Sequence, residues 1–169
     1  MLRLPRARSK PRCPPDRSGR FEFIQLSAAH PPELVIHIDG GSRGNPGPAG
    51  FGVHAVDGKG ALTAEHFGFI GTATNNVAEY QALVHAFRLA TARGARRIEI
   101  RSDSELVVKQ MNGLYKVKHP DMLLLWRQAS QLRRTFEAVE IKHVRREQNK
   151  EADALANRAM DLKDSHLTD

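Results

Sequence analysis

The sequence predicts an α/β domain built on one five-stranded mixed sheet, strand order 3-2-1-4-5, with helices on its faces. Two observations carry this. Three runs of strand character, separated by Gly/Asn/Asp/Pro turn signals, precede the first run with helical spacing; strand and helix patterns then alternate to the end, giving the order βββαβααβα.

LVIHID is the first strand and delivers Asp39 to the edge of the sheet. GGSRGNPGPAG is a dense turn signal, after which GFGVHAVD, the DGKG turn and ALTAEHFGFIG form an antiparallel hairpin, so the first three strands make a meander. From Asn76 to Arg93, Val77, Tyr80, Leu83, Val84, Phe87, Leu89 and Ala90 recur at three- and four-residue spacing, with Asn75 or Asn76 as the cap and Gly94 as the stop. This first long helix supplies the crossover that lays the next strand, RRIEIRS, parallel beside the first. A short helix from Ser104 to about Met111 ends near Asn112 and Gly113. A longer one runs from about Pro120 to Phe136, carrying Met122, Leu125, Trp126, Ala129 and Leu132 on one face. VEIKHV is the last strand, beside the fourth, and Asn149 caps the closing helix NKEADALANRAMDLK.

Outside this domain, expected over 34–163, lie a Pro/Arg-rich N-terminal extension (1–33) and a C-terminal tail (164–169). MLRLPRARSKPRCPPDRSGR has no sustained period and is expected to be flexible. FEFIQLSAAHPP reads either as a short strand or turn that docks on the body through Phe21, Phe23 and Leu26 or as a poorly packed extension. The extension holds seven Arg or Lys against three acids, more than half of the chain's net +7, so the body is only mildly basic. That balance favours a polyanionic partner. No apolar run approaches the roughly 18 residues of a membrane span, and the prolines and Asp16 of the Arg-rich start argue against a presequence helix. The single cysteine, Cys13, rules out an intrachain disulfide or a thiolate metal cage and fits a reducing, cytoplasmic setting.

The chemistry lies in four acids. Asp39 ends one strand and Asp103 follows the end of a parallel neighbour, which brings their carboxylates close together. Glu79 and Asp153 fall in the first turns of the first and last long helices, at the same sheet edge. Either helix acid alone reads as an ordinary dipole partner. Together the four make a cluster whose like charges raise one another's pKa unless a cation intervenes. Oxygen-only ligands favour Mg²⁺, with Mn²⁺ as a substitute. Two such ions about 3.5 to 4 Å apart suit an in-line displacement at phosphorus. The Gly40–Gly47 loop offers exposed backbone N–H groups to a sugar-phosphate chain. Thr74, Asn75 and Asn76 place hydroxyl and amide groups beside Glu79. His143 and Arg146, flanking the loop before Asp153, are candidate mobile helpers, whereas His37, His54, Trp126 and Phe136 fit packing roles.

The motifs IDGGSRGNPGPAGFG, TNNVAEYQAL, SDSELVVKQMNG and REQNKEADALAN, in this order between about Leu34 and Met160, resemble the type 1 ribonuclease H family. The resemblance implies the ribonuclease H-like fold and an endonuclease that cuts the RNA strand of RNA/DNA hybrids by two-metal-ion catalysis, leaving 3′-hydroxyl and 5′-phosphate ends. It implies metal ligands at Asp39, Glu79, Asp103 and Asp153, with minor-groove and phosphate contacts from Gly41, Ser42, Arg43, Asn45, Thr74, Asn75 and Asn76. It further implies a monomer with no obligate protein partner. The helper is either His143, ten residues before the last aspartate, or Arg146, seven before it. Between Gly113 and Pro120 only LYKVKH replaces the basic, Trp-containing protrusion of some members. The alternatives are a same-fold nuclease for double-stranded RNA and a non-catalytic hybrid-binding module; the second predicts a broken acidic set, and all four acids are present.

Overall fold

Alternating burial along the opening strands sets the architecture: Leu34, Ile36 and Ile38 are buried on one face, and their neighbours Val35 and His37 are only half-buried. The computed structural model describes Leu26 and residues 31–167. The remaining N-terminal residues, including the candidate docking strand at Phe21 and Phe23, lie outside the described residues. Strands β1 (Leu34–Ser42), β2 (Gly47–Asp57) and β3 (Leu62–Ala73) form the antiparallel meander; helix α1 (Asn75–Ala92) crosses over to β4 (Arg97–Ser102). Helices α2 (Glu105–Met111) and α3 (Pro120–Arg133) lead to β5 (Ala138–His143), and α4 (Lys150–Leu162) closes the domain. The sheet order is β3-β2-β1-β4-β5, with β4 parallel to both of its neighbours. This matches the predicted mixed sheet and strand order.

The main core lies between the sheet and α1. Ile36, Ile38, Ile98 and Ile100 pack with Leu83, Val84 and Phe87, all with essentially no exposure. Each such side chain contributes about 1.5–3 kcal/mol on leaving water. Helix α3 rests on α1, adding Met122 and Ala129 to the core and half-burying Trp126 against it. On the opposite face α4 lies across β1, β2 and β3. Its approach needs the bare backbone of Gly52, where a Cβ would stand 2.2 Å from the Ala152 carbonyl oxygen.

Several local expectations change. β1 does not stop at Asp39 but runs to Ser42, because Gly40, Gly41 and Ser42 stay paired with Phe51, Gly50 and Ala49; the turn is confined to the few residues before Gly47. The cap of α1 is Thr74, whose hydroxyl accepts from the Val77 N–H at 3.3 Å, not Asn75 or Asn76, which are already helical. α3 ends at Arg133, short of Phe136, which turns inward so that its ring lies 5.7 Å from that of Phe87. Beyond α4 the chain folds back on the free edge of β3, where Phe67 and His166 exchange backbone hydrogen bonds at 3.0 and 2.8 Å. That pairing covers part of an otherwise open strand edge. Among the described residues no helix is long and apolar enough to cross a membrane.

Candidate active site

The parallel ladder between β1 and β4 stops at the pair Ile38–Ser102. Asp39 is therefore the first β1 residue beyond the ladder and Asp103 the first residue beyond β4, which sets the two side by side where the sheet splits. Asp39 lies inside a strand, not at its end as the sequence suggested, yet this mismatch in strand length brings about the expected proximity. Glu79 comes from α1, at its fifth residue and so past the first turn where it was expected. The helix reaches Asp39 because β1 carries no side chain at Gly40: a Cβ there would stand 2.2 Å from both the Ala78 carbonyl carbon and the Glu79 nitrogen. Asp153 lies in the first turn of α4, as expected. Its neighbour Ala152 contacts Gly52, the β2 residue paired with Asp39.

Carboxylate oxygens of Asp39, Glu79 and Asp103 lie within 4.8 Å of one another. Asp153 lines the same cavity, of about 380 Å³, but its carboxylate is engaged elsewhere. It accepts from Arg146 Nη2 at 2.9 Å and from Asn157 Nδ2 at 3.2 Å. Three of the four acids thus form a tight group, and the fourth faces it beside a cation.

Electrostatics mark the group as unstable on its own. Burial pushes the Asp39 carboxyl up to about 8, helped by the charge and hydrogen bond of Asp103 and the charge of Asp153, while Arg146 opposes. Burial likewise holds Glu79 well above the usual range, reinforced by Asp39 and Asp103 and resisted by the Gly40 N–H and Arg146. Glu79 Oε2 is buried with no hydrogen-bond partner. An orphaned, buried carboxylate oxygen costs free energy that a bound cation would recover. The donor set is all oxygen and suits a hard divalent ion, so the residues present fit a metal.

Of the other candidates, Gly41, Ser42, Arg43, Asn75 and Arg146 line this cavity. Arg43 is ion-paired with Asp161 on α4. Asn45, Thr74 and Asn76 do not line it; Asn45 Oδ1 instead accepts from the Asn75 N–H at 3.2 Å, tying the β1–β2 turn to the start of α1. His143 ends β5 with Nε2 3.2 Å from the Asp103 carbonyl oxygen, outside the cavity lining. Arg146, largely exposed, reaches across the opening to Asp153.

Two residues escaped the sequence reading. Asn149 stands at the start of α4 but makes no capping bond. Fully buried, its Nδ2 donates to the Ile38 carbonyl at 2.9 Å and to Asp103 Oδ1 at 3.2 Å, plugging the split between β1 and β4. Asn157 holds Asp153 from one turn further along α4; its four-residue spacing from that acid was the available signal. For Asn149 the sequence offered only a capping pattern.

Comparison with known proteins agrees with this geometry. Residues 37–159 match the reverse transcriptase-like family model. The bifunctional protein Rv2228c of Mycobacterium tuberculosis is 50% identical over 131 residues, covering 76% of this chain but 36% of its own length; this chain thus spans about a third of that relative. Ribonuclease HI of Halobacterium salinarum is 43% identical over 147 residues, covering 87% of this chain and 67% of its own. Among solved structures, LC11-RNase H1 in complex with an RNA/DNA hybrid superposes with a TM-score of 0.74 at 41% identity, covering 77% of this chain and 98% of that one. The N-terminal RNase H domain of Rv2228c gives 0.75 at 47% identity, covering 78% and 95%. With the sheet order, the grouped acids and these similarities in agreement, the chain belongs to the type 1 ribonuclease H family.

Proposed function

We propose that this protein hydrolyses the RNA strand of RNA/DNA hybrids as an endonuclease, leaving 3′-hydroxyl and 5′-phosphate ends, with two divalent ions, Mg²⁺ or in its place Mn²⁺. The observation that carries the reading is the trio Asp39, Glu79 and Asp103: buried or half-buried carboxylates within 4.8 Å, one oxygen of which has no partner, on the floor of an open cavity. They would hold the metal, with Asp153 as a fourth ligand once Arg146 lets it go. Bound there, a pair of divalent ions supplies a lowered pKa to the attacking water and charge stabilisation to the leaving oxygen.

The chain's own residues do the rest. Gly41, Ser42 and Asn75 line the cavity where a sugar-phosphate backbone would lie, and the Asn45–Asn75 bond keeps that wall in one place. Arg146, paired with Asp153 at the cavity, would balance charge as product leaves; His143 is turned to the Asp103 carbonyl. The hybrid found in the related LC11-RNase H1 structure supports the substrate class. A catalytic unit at 34–163, a monomeric state and a cytoplasmic location belong to the same proposal.

The test is cleavage of a labelled RNA/DNA hybrid beside matched double-stranded RNA, double-stranded DNA and single-stranded RNA, with Mg²⁺ and then with EDTA. Cutting of RNA only in the hybrid, abolished by EDTA, is expected. Preferential cutting of double-stranded RNA would move the substrate class, and folded protein that binds hybrid without cutting it would overturn catalysis.

A further inference from the structure

Asn149 has a fixed job only if its carboxamide points one way. Its nitrogen faces two acceptors, the Ile38 carbonyl and Asp103 Oδ1, so its oxygen must face the remaining neighbour, His37 Nδ1, at 3.3 Å. That imidazole nitrogen must then carry a hydrogen, because the oxygen opposite can only accept. The charged ring and one neutral tautomer both supply it. His37 is half-buried on β1, two residues from Asp39, and the His54 ring stands edge-on with its centroid 6.4 Å away.

We propose that His37 is a positioning residue for the reaction: it locks the carboxamide of Asn149 and, through it, the carboxylate of Asp103. This rests on the reading of Asp103 as a metal ligand. Without a donor at position 37 the carboxamide oxygen is left unpaired in a buried site and the amide is held from its nitrogen side alone. Its plane can then twist, loosening the bond from Nδ2 to Asp103 Oδ1 and letting that carboxylate drift from Asp39 and Glu79. The sheet split removes any backbone alternative, since the ladder ends at Ile38 and Ser102. Hydrogen bonds that orient a metal ligand are worth about 10- to 100-fold in metal affinity or activity, and one layer further out the effect should be about 3- to 10-fold.

The experiment compares wild type with His37→Phe, His37→Thr and His37→Asn. Phenylalanine fills the space without a donor, threonine keeps strand character but is too short to reach, and asparagine returns an N–H near the Nδ1 position. The side-chain amide signals of Asn149 are followed by ¹⁵N NMR without metal, Mg²⁺ binding is measured by calorimetry, and kcat and KM on the hybrid are determined. His37→Phe and His37→Thr should shift the Asn149 amide signals, weaken Mg²⁺ binding about 3- to 10-fold and lower kcat with KM unchanged, and His37→Asn should recover most of the loss. Unchanged amide signals and Mg²⁺ affinity in whichever donor-free variant folds would overturn the proposal, as would a His37→Asn variant no better than those two. Failure of the wild type to bind Mg²⁺ would instead remove the metal reading, and the metal-free amide signals would still decide whether His37 orients Asn149.

Discussion

Asp39 and Glu99 sit on neighbouring strands with nearly equal exposure, 7% and 6%, and their carboxyl groups respond in opposite directions. Burial pushes both up. At Glu99 that push is more than offset by Arg101, whose Nε stands 2.6 Å away, and by Lys142, whose Nζ is at 3.1 Å, so its pKa ends below the usual range. At Asp39 the nearest charges are other carboxylates, and its pKa ends at about 8. Burial is common to both residues; what separates a candidate site from a structural ion pair is the missing cation.

Exchanging charge for amide at the two positions gives the sharpest contrast. Asp39→Asn or Asp103→Asn should remove hybrid cleavage, by at least about 10³-fold if these acids anchor the electrostatics of the reaction. The melting temperature of the metal-free protein should hold or rise, because repulsion among the acids is relieved. Glu99→Gln should leave kcat nearly unchanged. Equal losses of activity at both positions would erase the distinction.

The pH dependence of metal-free stability should separate them next. The Asp39 carboxyl holds its proton more tightly folded than unfolded, so folding is favoured below the unfolded value near 4 and loses that advantage as pH rises towards about 8. In EDTA the melting temperature should therefore fall across that window, each pKa unit of it being worth up to about 1.4 kcal/mol and each kcal/mol moving a chain of this size by about 2–4 °C. Asp39→Asn should flatten the fall, as should saturating Mg²⁺. Glu99 acts with the opposite sign: its contribution is present above its usual range and is lost as pH drops through its lowered pKa. A melting temperature flat from about pH 4 to 8 in EDTA would mean that the acids are not crowded as described.

Gly40→Ala tests the geometry with no change of charge. The added methyl would meet the α1 backbone, so a loss of about 1–3 kcal/mol in thermal or urea unfolding is expected, along with reduced cleavage as Glu79 is displaced. The smallest effect is the stability cost of Glu99→Gln, about 1 kcal/mol or less, because Arg101 and Lys142 are substantially solvent-exposed. Its measurement is the shift in urea midpoint at constant slope.

The sheet was readable because strand alternation and helical spacing are local patterns that tertiary packing here reinforces: Ile36 and Ile38 face α1 just as their period demands. The acids were readable as a set for the same reason, each lying near an element boundary. What could not be read was who stands opposite whom. Asn149 has the local look of a cap, and only the split between β1 and β4 makes it a plug. Asp39 looked like a strand end because Gly40 and Gly41 resemble a turn, whereas their pairing with Phe51 and Gly50 keeps them in the strand. Thr74 outcompeted two asparagines because both had entered the helix. Local sequence offers each residue several hydrogen-bond partners, and distant segments choose among them.

The residue that closes the split between β1 and β4 arrives late in the chain. Asp39, Glu79 and Asp103 have all been synthesised long before Asn149 and Asp153, so a nascent chain carries most of its acids without the carboxamide that seats Asp103 or the helix that brings in the fourth. The site is therefore complete only after α4 has been made and has docked on the sheet. Any event that peels α4 from the sheet, even briefly, returns the molecule to that unfinished state with its core between α1 and the sheet still in place.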